Sequence, residues 1–287
     1  MRNDGLAACE TPDAWCGATR AGDESCSGWR VWGRYDGREG FGSEGPEPWE
    51  VGQGSKLDRR GLGICSRGGM PQGSEPVKLD PADFSVSIDN PYWPMSPGTK
   101  WVYSETDTKG TNQKVVVEVT DETKMMANGI EARVVRDTVT ENGAPVEITD
   151  DWYAQDKAGN VWYLGEYVTN YENGKVVDHG GSFEAGVDGA QPGIAMPANP
   201  DPGLSYRQEY YKGEAEDKAS VITIGEEKVQ VPLGYFDKDV LMTRDLVPTE
   251  PKVQELKFYA PNIGPLLSVH TDGDGSRAEL ISYYRND

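Results

Sequence analysis

The feature that most constrains this chain is a series of turn signals that separate short alternating segments from Gly98 to the C-terminus. Three of these signals are Asn-Gly dipeptides, at Asn128-Gly129, Asn142-Gly143 and Asn173-Gly174, each between β-branched or aromatic segments. Asn and Gly tolerate the positive φ angles of a two-residue hairpin turn, so the dipeptides predict antiparallel hairpins. The pattern therefore predicts an all-β protein.

The short connections between these segments predict the topology of the sheet. About 12 strands follow one another, so each strand is expected to pair with the strand before it in an antiparallel meander. Twist prevents a sheet of this size from staying flat and open. We therefore predict a strongly curved sheet or barrel over residues 98–287, with no room for crossover helices.

The first 75 residues differ in composition from the rest of the chain. They hold all four cysteines, Cys9, Cys16, Cys26 and Cys65, and show no helical or strand periodicity. Such a Gly-rich segment buries too little apolar area to offset the entropy lost on ordering, so residues 1–75 are expected to be disordered. Two other interpretations stay open, namely a segment that is not native protein and a knot with two disulfides. A zinc site has little support, because the segment contains no CxxC pair and no His.

Residues 76–97 form a Pro-rich stretch between this segment and the predicted sheet. Tyr92, Trp93 and Met95 supply apolar side chains among the prolines. We expect a linker that ends in a segment docked onto the β-domain.

The chain is strongly acidic, with 48 acidic and 28 basic residues and a formal net charge of -20. Nucleic-acid phosphates and anionic membranes repel such a surface, so neither is expected as a partner. No stretch approaches the roughly 20 apolar residues of a transmembrane helix. Cations are the natural counter-species, so a metal ion or a cationic ligand stays open, whereas no cofactor is predicted and the oligomeric state is unknown.

The densest group of candidate functional residues is the segment from Asp150 to Glu166, which is expected to form a hairpin with a Trp-Tyr pair on each arm. Successive strand residues point to opposite faces of a sheet, so each pair places one ring on each side. The expected same-face sets are Asp150, Trp152 and Asp156 on the first arm, Trp162, Leu164 and Glu166 on the second, and Tyr163, Tyr167 and Tyr171 on the opposite face.

Three hypotheses of function follow from these residues. The first is a non-catalytic extracytoplasmic β-domain that binds a small or extended ligand, such as a saccharide, in an aromatic-lined concavity. The second is a carboxylate-dependent hydrolase or lyase that acts on a saccharide. The third is a structural envelope protein without a ligand, in which aromatic pairs only stabilise the sheet.

The first two hypotheses have candidate residues. The ligand-binding candidates are Trp101, Trp152, Trp162, Tyr163 and Met196. Met196 lies in the long segment Gly186–Gly203, which we expect to be a loop that acts as a lid or as a structural plug. The candidate acid and base residues of the hydrolase are Asp150, Asp156 and Glu166.

Two further patterns carry little weight. Asp272, Asp274 and Glu279 superficially suggest a calcium site, but the twelve-residue EF-hand spacing is absent and Asp-Gly repeats usually form turns. His179 and His270 each have an Asp nearby, yet no Ser stands in a Gly-x-Ser-x-Gly motif.

Three motifs of the chain resemble motifs of uncharacterised, predominantly exported bacterial β-rich proteins. They are Asn90-Pro91-Tyr92-Trp93-Pro94 leading to Gly98-Thr99-Lys100-Trp101-Val102-Tyr103, the Trp152 to Glu166 hairpin, and Tyr259-Ala260-Pro261-Asn262-Ile263-Gly264. Gly-Thr-x-Trp-x-Tyr and Tyr-Ala-Pro-x-Ile-Gly signatures of this kind recur in envelope proteins with curved antiparallel sheets. The resemblance implies a periplasmic or secreted protein with no established activity, although no signal peptide is visible in this sequence.

Overall fold

The computed structural model describes residues 69–248, 251, 254–271 and 275–286. Within these residues the chain forms one short 3-10 helix, Pro81–Asp83, and eighteen strands. The strands are β1 (Phe84–Ser85), β2 (Lys100–Thr106), β3 (Asn112–Met125), β4 (Glu131–Glu141), β5 (Ala144–Asp156), β6 (Val161–Glu172), β7 (Lys175–Asp178), β8 (Phe183–Glu184), β9 (Gln191–Met196), β10 (Ser205–Arg207), β11 (Glu209–Tyr210), β12 (Lys218–Ile224), β13 (Val229–Val231), β14 (Gly234–Phe236), β15 (Leu241–Leu246), β16 (Gln254–Ala260), β17 (Gly264–His270) and β18 (Arg277–Tyr284). Among the described residues, no helix is long and apolar enough to cross a membrane.

Sixteen of these strands form one antiparallel sheet that is nearly closed into a barrel. The strands β2 to β6 and β9 pair in chain order, as do β12 and β15 to β18, and β18 pairs with β2. β10 pairs with β12 and β11 pairs with β9, while only Gln208 separates β10 from β11. Residues 205–210 therefore link the two ends of the sheet. If β10 and β11 are counted together as one strand position, they and the eleven strands between them make a ring of twelve positions. The predicted all-β antiparallel meander is confirmed.

Two of the predicted Asn-Gly turns have both residues in the left-handed region. The φ angles are 51° and 82° at Asn142-Gly143, and 50° and 73° at Asn173-Gly174, which suits two-residue hairpin turns. They join β4 to β5 and β6 to β7. At Asn128-Gly129 only the Gly has a positive φ, so this turn between β3 and β4 has another geometry.

The Pro-rich segment at residues 76–97 packs against one end of the barrel. The Trp93 ring is buried, with its centroid 5.8 Å from that of Tyr153 and 6.0 Å from that of Tyr259. The side-chain amide of Asn90 donates hydrogen bonds to two main-chain carbonyls, each 3.0 Å away. These contacts tie the segment to the inside of the sheet and to the turns at its rim.

Arg207 holds the residues before this segment against the link between β10 and β11. Its buried guanidinium donates hydrogen bonds to the main-chain carbonyls of Gly73, of Glu75 at 2.9 Å and of Pro192 at 2.8 Å. Its main-chain nitrogen donates to the carbonyl of Pro71 at 2.6 Å. A short stretch of chain thus lies along the place where the barrel closes.

The predicted boundary at residue 75 therefore falls inside a packed segment. Residues 69–75 belong with the barrel, since their carbonyls satisfy a buried guanidinium. Residues 1–68 lie outside the described residues, and with them the predicted disorder and its alternatives. The same holds for Cys9, Cys16, Cys26 and Cys65.

The segment Gly186–Gly203, expected to be a loop, contains a strand of the barrel. Its strand β9 pairs with β6 on one edge and with β11 on the other. The sequence did not predict this strand because it contains Pro192 and Gly193, and both residue types are depleted in strand interiors. Here Gly is required, since a β carbon at Gly193 would collide with the main-chain carbonyl oxygen of Gln208. The expected lid or plug is therefore replaced by one position of the ring.

Candidate functional site

The barrel interior contains an aromatic cluster, which we define as Trp93, Trp101, Tyr153, Tyr163 and Tyr259. All five rings are buried, and the centroids of Tyr153 and Tyr163 lie 5.1 Å apart. A cavity beside them has a volume of about 10 Å³, which is room for about one water molecule. Trp101 and Tyr163, two predicted ligand-binding residues, thus fill this end of the interior and leave no open concavity there.

The other predicted ligand-binding residues lie elsewhere. Trp152 and Trp162 are on the opposite face of the sheet, because they alternate with the clustered tyrosines along β5 and β6. The Lys124 ammonium lies 3.5 Å from the centroid of the Trp152 ring, a cation–π contact. The Trp162 indole donates a 2.8 Å hydrogen bond to Asp156, and Met196 is fully buried. The five residues therefore do not converge on one site.

The three carboxylates proposed for a hydrolase also separate. Both oxygens of Asp150 accept hydrogen bonds from the Arg136 guanidinium, at 2.7 and 3.0 Å. Asp156 accepts hydrogen bonds from four nitrogen atoms in and beside the β5–β6 turn at 2.8–2.9 Å, so it shapes that turn. Glu166 is buried inside the barrel opposite Asp151. The three therefore do not face one cleft, as paired acid and base groups must.

The weak calcium candidates are not brought together in the described part of the chain. Asp272 and Asp274 lie outside it, and Glu279 accepts a 2.7 Å hydrogen bond from Arg277. Among the described residues no group of three His, Cys, Asp or Glu side chains forms a ready-made metal site.

A β-bulge turns Glu166 into the barrel interior. Asp151 pairs with Glu166 and Tyr153 pairs with Tyr163, so the partner strand contains one extra residue between the two pairs. Gly165 lies within this bulge with a φ of 130°. Strict alternation had predicted that Glu166 shares the face of the tryptophans. The extra residue reverses its side and places it beside Asp151.

Glu166 belongs to an acidic cluster inside the barrel, which we define as Glu105, Asp137, Glu147, Asp151 and Glu166. Glu147 is half-buried and the other four are buried. Burial raises the pKa of Asp137 well above its ordinary value, and the charges of the other four carboxylates raise it further. The five side chains therefore interact as one electrostatic group.

Asp137 is the least satisfied member of the acidic cluster. It is 2% exposed, and neither of its carboxylate oxygens has a hydrogen-bond partner among the described residues. It lies opposite Thr149 on β5, whose hydroxyl donates to Glu147 at 3.2 Å. Buried polar groups are nearly always hydrogen-bonded and buried charges paired, so this carboxylate lacks a partner that the fold leads one to expect.

Sequence analysis missed Asp137, although its sequence contains a signal. Asp137 alternates with Val135 and Val139, and all three are buried. An acidic residue at a position that continues an apolar face is a candidate for a buried carboxylate. Val134 and Val135 are both apolar and point to opposite faces of β4, so the sequence does not show which face is the interior.

Asp151 lies where the acidic cluster meets the aromatic cluster. Burial raises its pKa to about 7, against a 2.8 Å hydrogen bond from the Tyr163 hydroxyl that favours the charged form. The charge of Glu147 raises the pKa further. Asp151 therefore exchanges a proton near neutral pH.

A second polar group in the interior has its own cation. The Lys257 ammonium lies 2.9 Å from Asp245 and 3.0 Å from Glu255. Burial alone lowers the pKa of Lys257, but the two carboxylates outweigh it and hold the pKa well above its ordinary value. Hydrogen bonds from Gln208 to Asp245, at 3.2 Å, and from Ser268 to Glu255 complete this lysine network.

Comparisons with known proteins show limited similarity. The chain matches no protein-family model and no curated protein. A crystal structure of a predicted lipoprotein from Parabacteroides distasonis has 16% sequence identity and a TM-score of 0.36, over 68% of this chain and 100% of that one. A crystal structure of a β-barrel-like domain of unknown function from Brucella abortus has 15% identity and a TM-score of 0.35, over 66% of this chain and 98% of that one. Similarity this low carries no information about function.

Proposed function

We propose that this chain is a non-catalytic extracytoplasmic binding domain, and that its ligand binds at the acidic cluster instead of in a concavity lined by tryptophans. The observation that carries the proposal is Asp137, a buried carboxylate without a hydrogen-bond partner among the described residues. Leaving such a group ionised without a partner costs several kcal/mol, roughly, in a protein interior. A ligand that contacts Asp137 removes this cost.

The contrast with the lysine network supports this site. There, two buried carboxylates share the Lys257 ammonium at 2.9 and 3.0 Å. At Asp137 the four charges that act most strongly are all negative. The barrel thus compensates one interior acidic group with its own side chain and leaves the other for a ligand or for protons.

The cell-envelope location rests on the sequence motifs. Gly98-Thr99-Lys100-Trp101-Val102-Tyr103 and Tyr259-Ala260-Pro261-Asn262-Ile263-Gly264 resemble signatures of exported bacterial β-proteins. Fractionation of native cells tests this part, since recovery of the chain with cytoplasmic proteins contradicts it.

Binding is tested by thermal unfolding of the purified full-length chain with a panel of saccharides, amines, carboxylic acids and inorganic salts. We expect at least one class to raise the midpoint of the wild-type protein, and Asp137→Asn to abolish that rise. Asp201→Asn, at an exposed carboxylate, is the matched control and should respond like wild type. If no class raises the midpoint, the proposed binding function is wrong. If Asp137→Asn responds as fully as wild type, the ligand binds elsewhere and the proposed site is wrong.

A further inference from the structure

We propose that residues 69–75, which we call the strap, form a latch that controls access to the acidic cluster through the seam of the barrel. The seam is defined as the β9–β11 and β10–β12 junctions, where the ring closes. This inference rests on the proposed function, because it gives the route by which a ligand reaches Asp137.

The closed barrel leaves little room for a ligand at the acidic cluster. Asp137 is 2% exposed, and the cavity beside Asp151 has a volume of about 10 Å³, the size of about one water molecule. Pockets for organic ligands usually enclose several hundred Å³, roughly. Binding therefore requires part of the ring to move, and the junction with the weakest pairing opens most easily.

The seam contains the weakest junction of the ring. β11 pairs with β9 through two residue pairs, the fewest at any junction of the described ring, whereas β3 pairs with β4 through ten. One of the two pairs contains Pro192, which has no main-chain N–H to donate to the ladder. Few main-chain hydrogen bonds must therefore break for β11 to separate from β9.

The strap bridges the two sides of the seam and adds hydrogen bonds that the ladder lacks. The Arg207 guanidinium, on β10, donates to two main-chain carbonyls of the strap and, at 2.8 Å, to that of Pro192 on β9. The side-chain amide of Gln72 donates to the main-chain carbonyl of Ser205 on β10 at 2.6 Å. The seam is therefore held by side chains, whose hydrogen bonds can break without unfolding a strand.

The closed latch leaves one buried polar atom unsatisfied. Arg207 is 1% exposed, and its Nε has no hydrogen-bond partner among the described residues. A buried donor without a partner destabilises the closed state, and water satisfies it when the strap lifts. The free-energy difference between the closed and open seam is smaller for this reason.

The acidic cluster lies behind the seam. Glu209 on β11 is fully buried. Burial raises the pKa of Tyr163, and the charges of Asp151 and Glu166 raise it further, as does the charge of Glu209. β11 therefore borders the space that holds the acidic cluster, and separating it from β9 opens a path to these carboxylates.

Carboxyl labelling of the full-length chain with a carbodiimide and glycine ethyl ester at pH 6 measures access to the acidic cluster without any ligand. Hydrogen exchange read by mass spectrometry shows in parallel which main-chain amides open. Arg207→Lys should speed the labelling of Asp151 and Glu166 by about tenfold, by our estimate the loss of one charged hydrogen bond. Amides of β9 to β12 should exchange faster by a similar factor, whereas those of β3 and β4 stay protected.

A second variant and a matched control isolate the latch from general destabilisation. Gln72→Ala removes one contact of the strap and should change both readouts in the same direction by a smaller factor. The control is Arg133→Lys, because Arg133 is also buried and donates to three main-chain carbonyls at 3.3–3.4 Å. It lies on β4, separated from β11 by β5, β6 and β9, and its replacement should leave labelling of the cluster near wild type.

The outcomes separate the two proposals, since labelling needs no ligand. If Arg207→Lys and Gln72→Ala label the cluster at the wild-type rate, or if β3 and β4 lose protection together with the seam, the strap is not a latch. If Arg207→Lys does not fold, Gln72→Ala decides by the same readouts. A ligand that binds at Asp137 while the seam never opens contradicts the latch alone, and a seam that opens in a chain that binds nothing contradicts the binding function alone.

Discussion

Replacing Lys257 with Met tests the electrostatics of the barrel interior at the lysine network, where one ammonium is shared by two carboxylates. The side chain of Lys257 is 5% exposed, and those of its partners Asp245 and Glu255 are 9% and 12% exposed. Met keeps the length and most of the apolar stem of Lys but removes the ammonium. The change therefore leaves two neighbouring buried carboxylates without their shared cation.

The expected loss is large because the remaining charges are poorly solvated. Removing one partner of a buried ion pair costs about 3–5 kcal/mol, since the other charge stays behind. Folded domains are stable by only about 5–15 kcal/mol. Lys257→Met should therefore remove a major share of the free energy of unfolding.

Equilibrium unfolding in urea, followed by tryptophan fluorescence, measures this loss. The matched control is Lys100→Met, because Lys100 lies 2.9 Å from Glu118 but both side chains are more than 40% exposed. Exposed pairs contribute about 0–1 kcal/mol, so the control should stay near wild type. If Lys257→Met loses no more than Lys100→Met, the lysine network is solvated and our account of the interior is wrong.

Three further changes test other parts of the structure. Gly193→Ala should destabilise the barrel by more than about 3 kcal/mol or prevent folding, because a β carbon there collides with a main-chain carbonyl; soluble yield and thermal midpoint measure this. Arg207→Lys should lose about 1–3 kcal/mol, because an ammonium cannot reach the carbonyls that the guanidinium spans, and limited proteolysis should cut residues 69–75 faster. In EDTA, the free energy of unfolding should fall as pH rises from about 5 to 7, by at most about 1.4 kcal/mol per pH unit, because the pKa of Asp151 is about 7 in the folded chain against 3.8 as the ordinary value. Asp151→Asn should flatten this dependence.

Each of these changes has a control in the same chain. Gly234→Ala adds a β carbon 3.8 Å from its nearest neighbour and should leave the midpoint unchanged. Equal losses at the two glycines would contradict the close contact between Gly193 and the main chain of Gln208. Arg277→Lys alters a half-exposed ion pair and should leave proteolysis unchanged. A pH dependence that survives in Asp151→Asn assigns the titration to another group.

The sequence analysis was most successful where structure depends on neighbouring residues. The turns at Asn142-Gly143 and Asn173-Gly174 need only two residues able to adopt positive φ, and both occur as expected. Short links between successive strands predicted the order of pairing, and the twist of a large sheet predicted its curvature. β9 was missed because it contains Pro192 and Gly193, and both residue types are depleted in strand interiors. Gly193 is required there because the main chain of Gln208 lies too close for a β carbon, and this contact is not visible in the sequence.

The candidate site was harder to predict because a face assignment can be reversed by a single residue. The bulge at Gly165 moves Glu166 from the expected face to the interior, beside Asp151. Trp101 and Tyr163 are predicted from the sequence to line a ligand-binding concavity, but both rings are buried inside the barrel. Burial of this kind depends on strands that are distant in sequence.

The sequence by itself determined the all-β class and the antiparallel meander, since these follow from turn chemistry and alternation along the chain. Only the tertiary structure decided which carboxylates share the interior and which of them have partners. The reason is that β2, β4, β5 and β6 each contribute acidic side chains to one space. Their mutual charge and desolvation exist only once the sheet has curved round to enclose them.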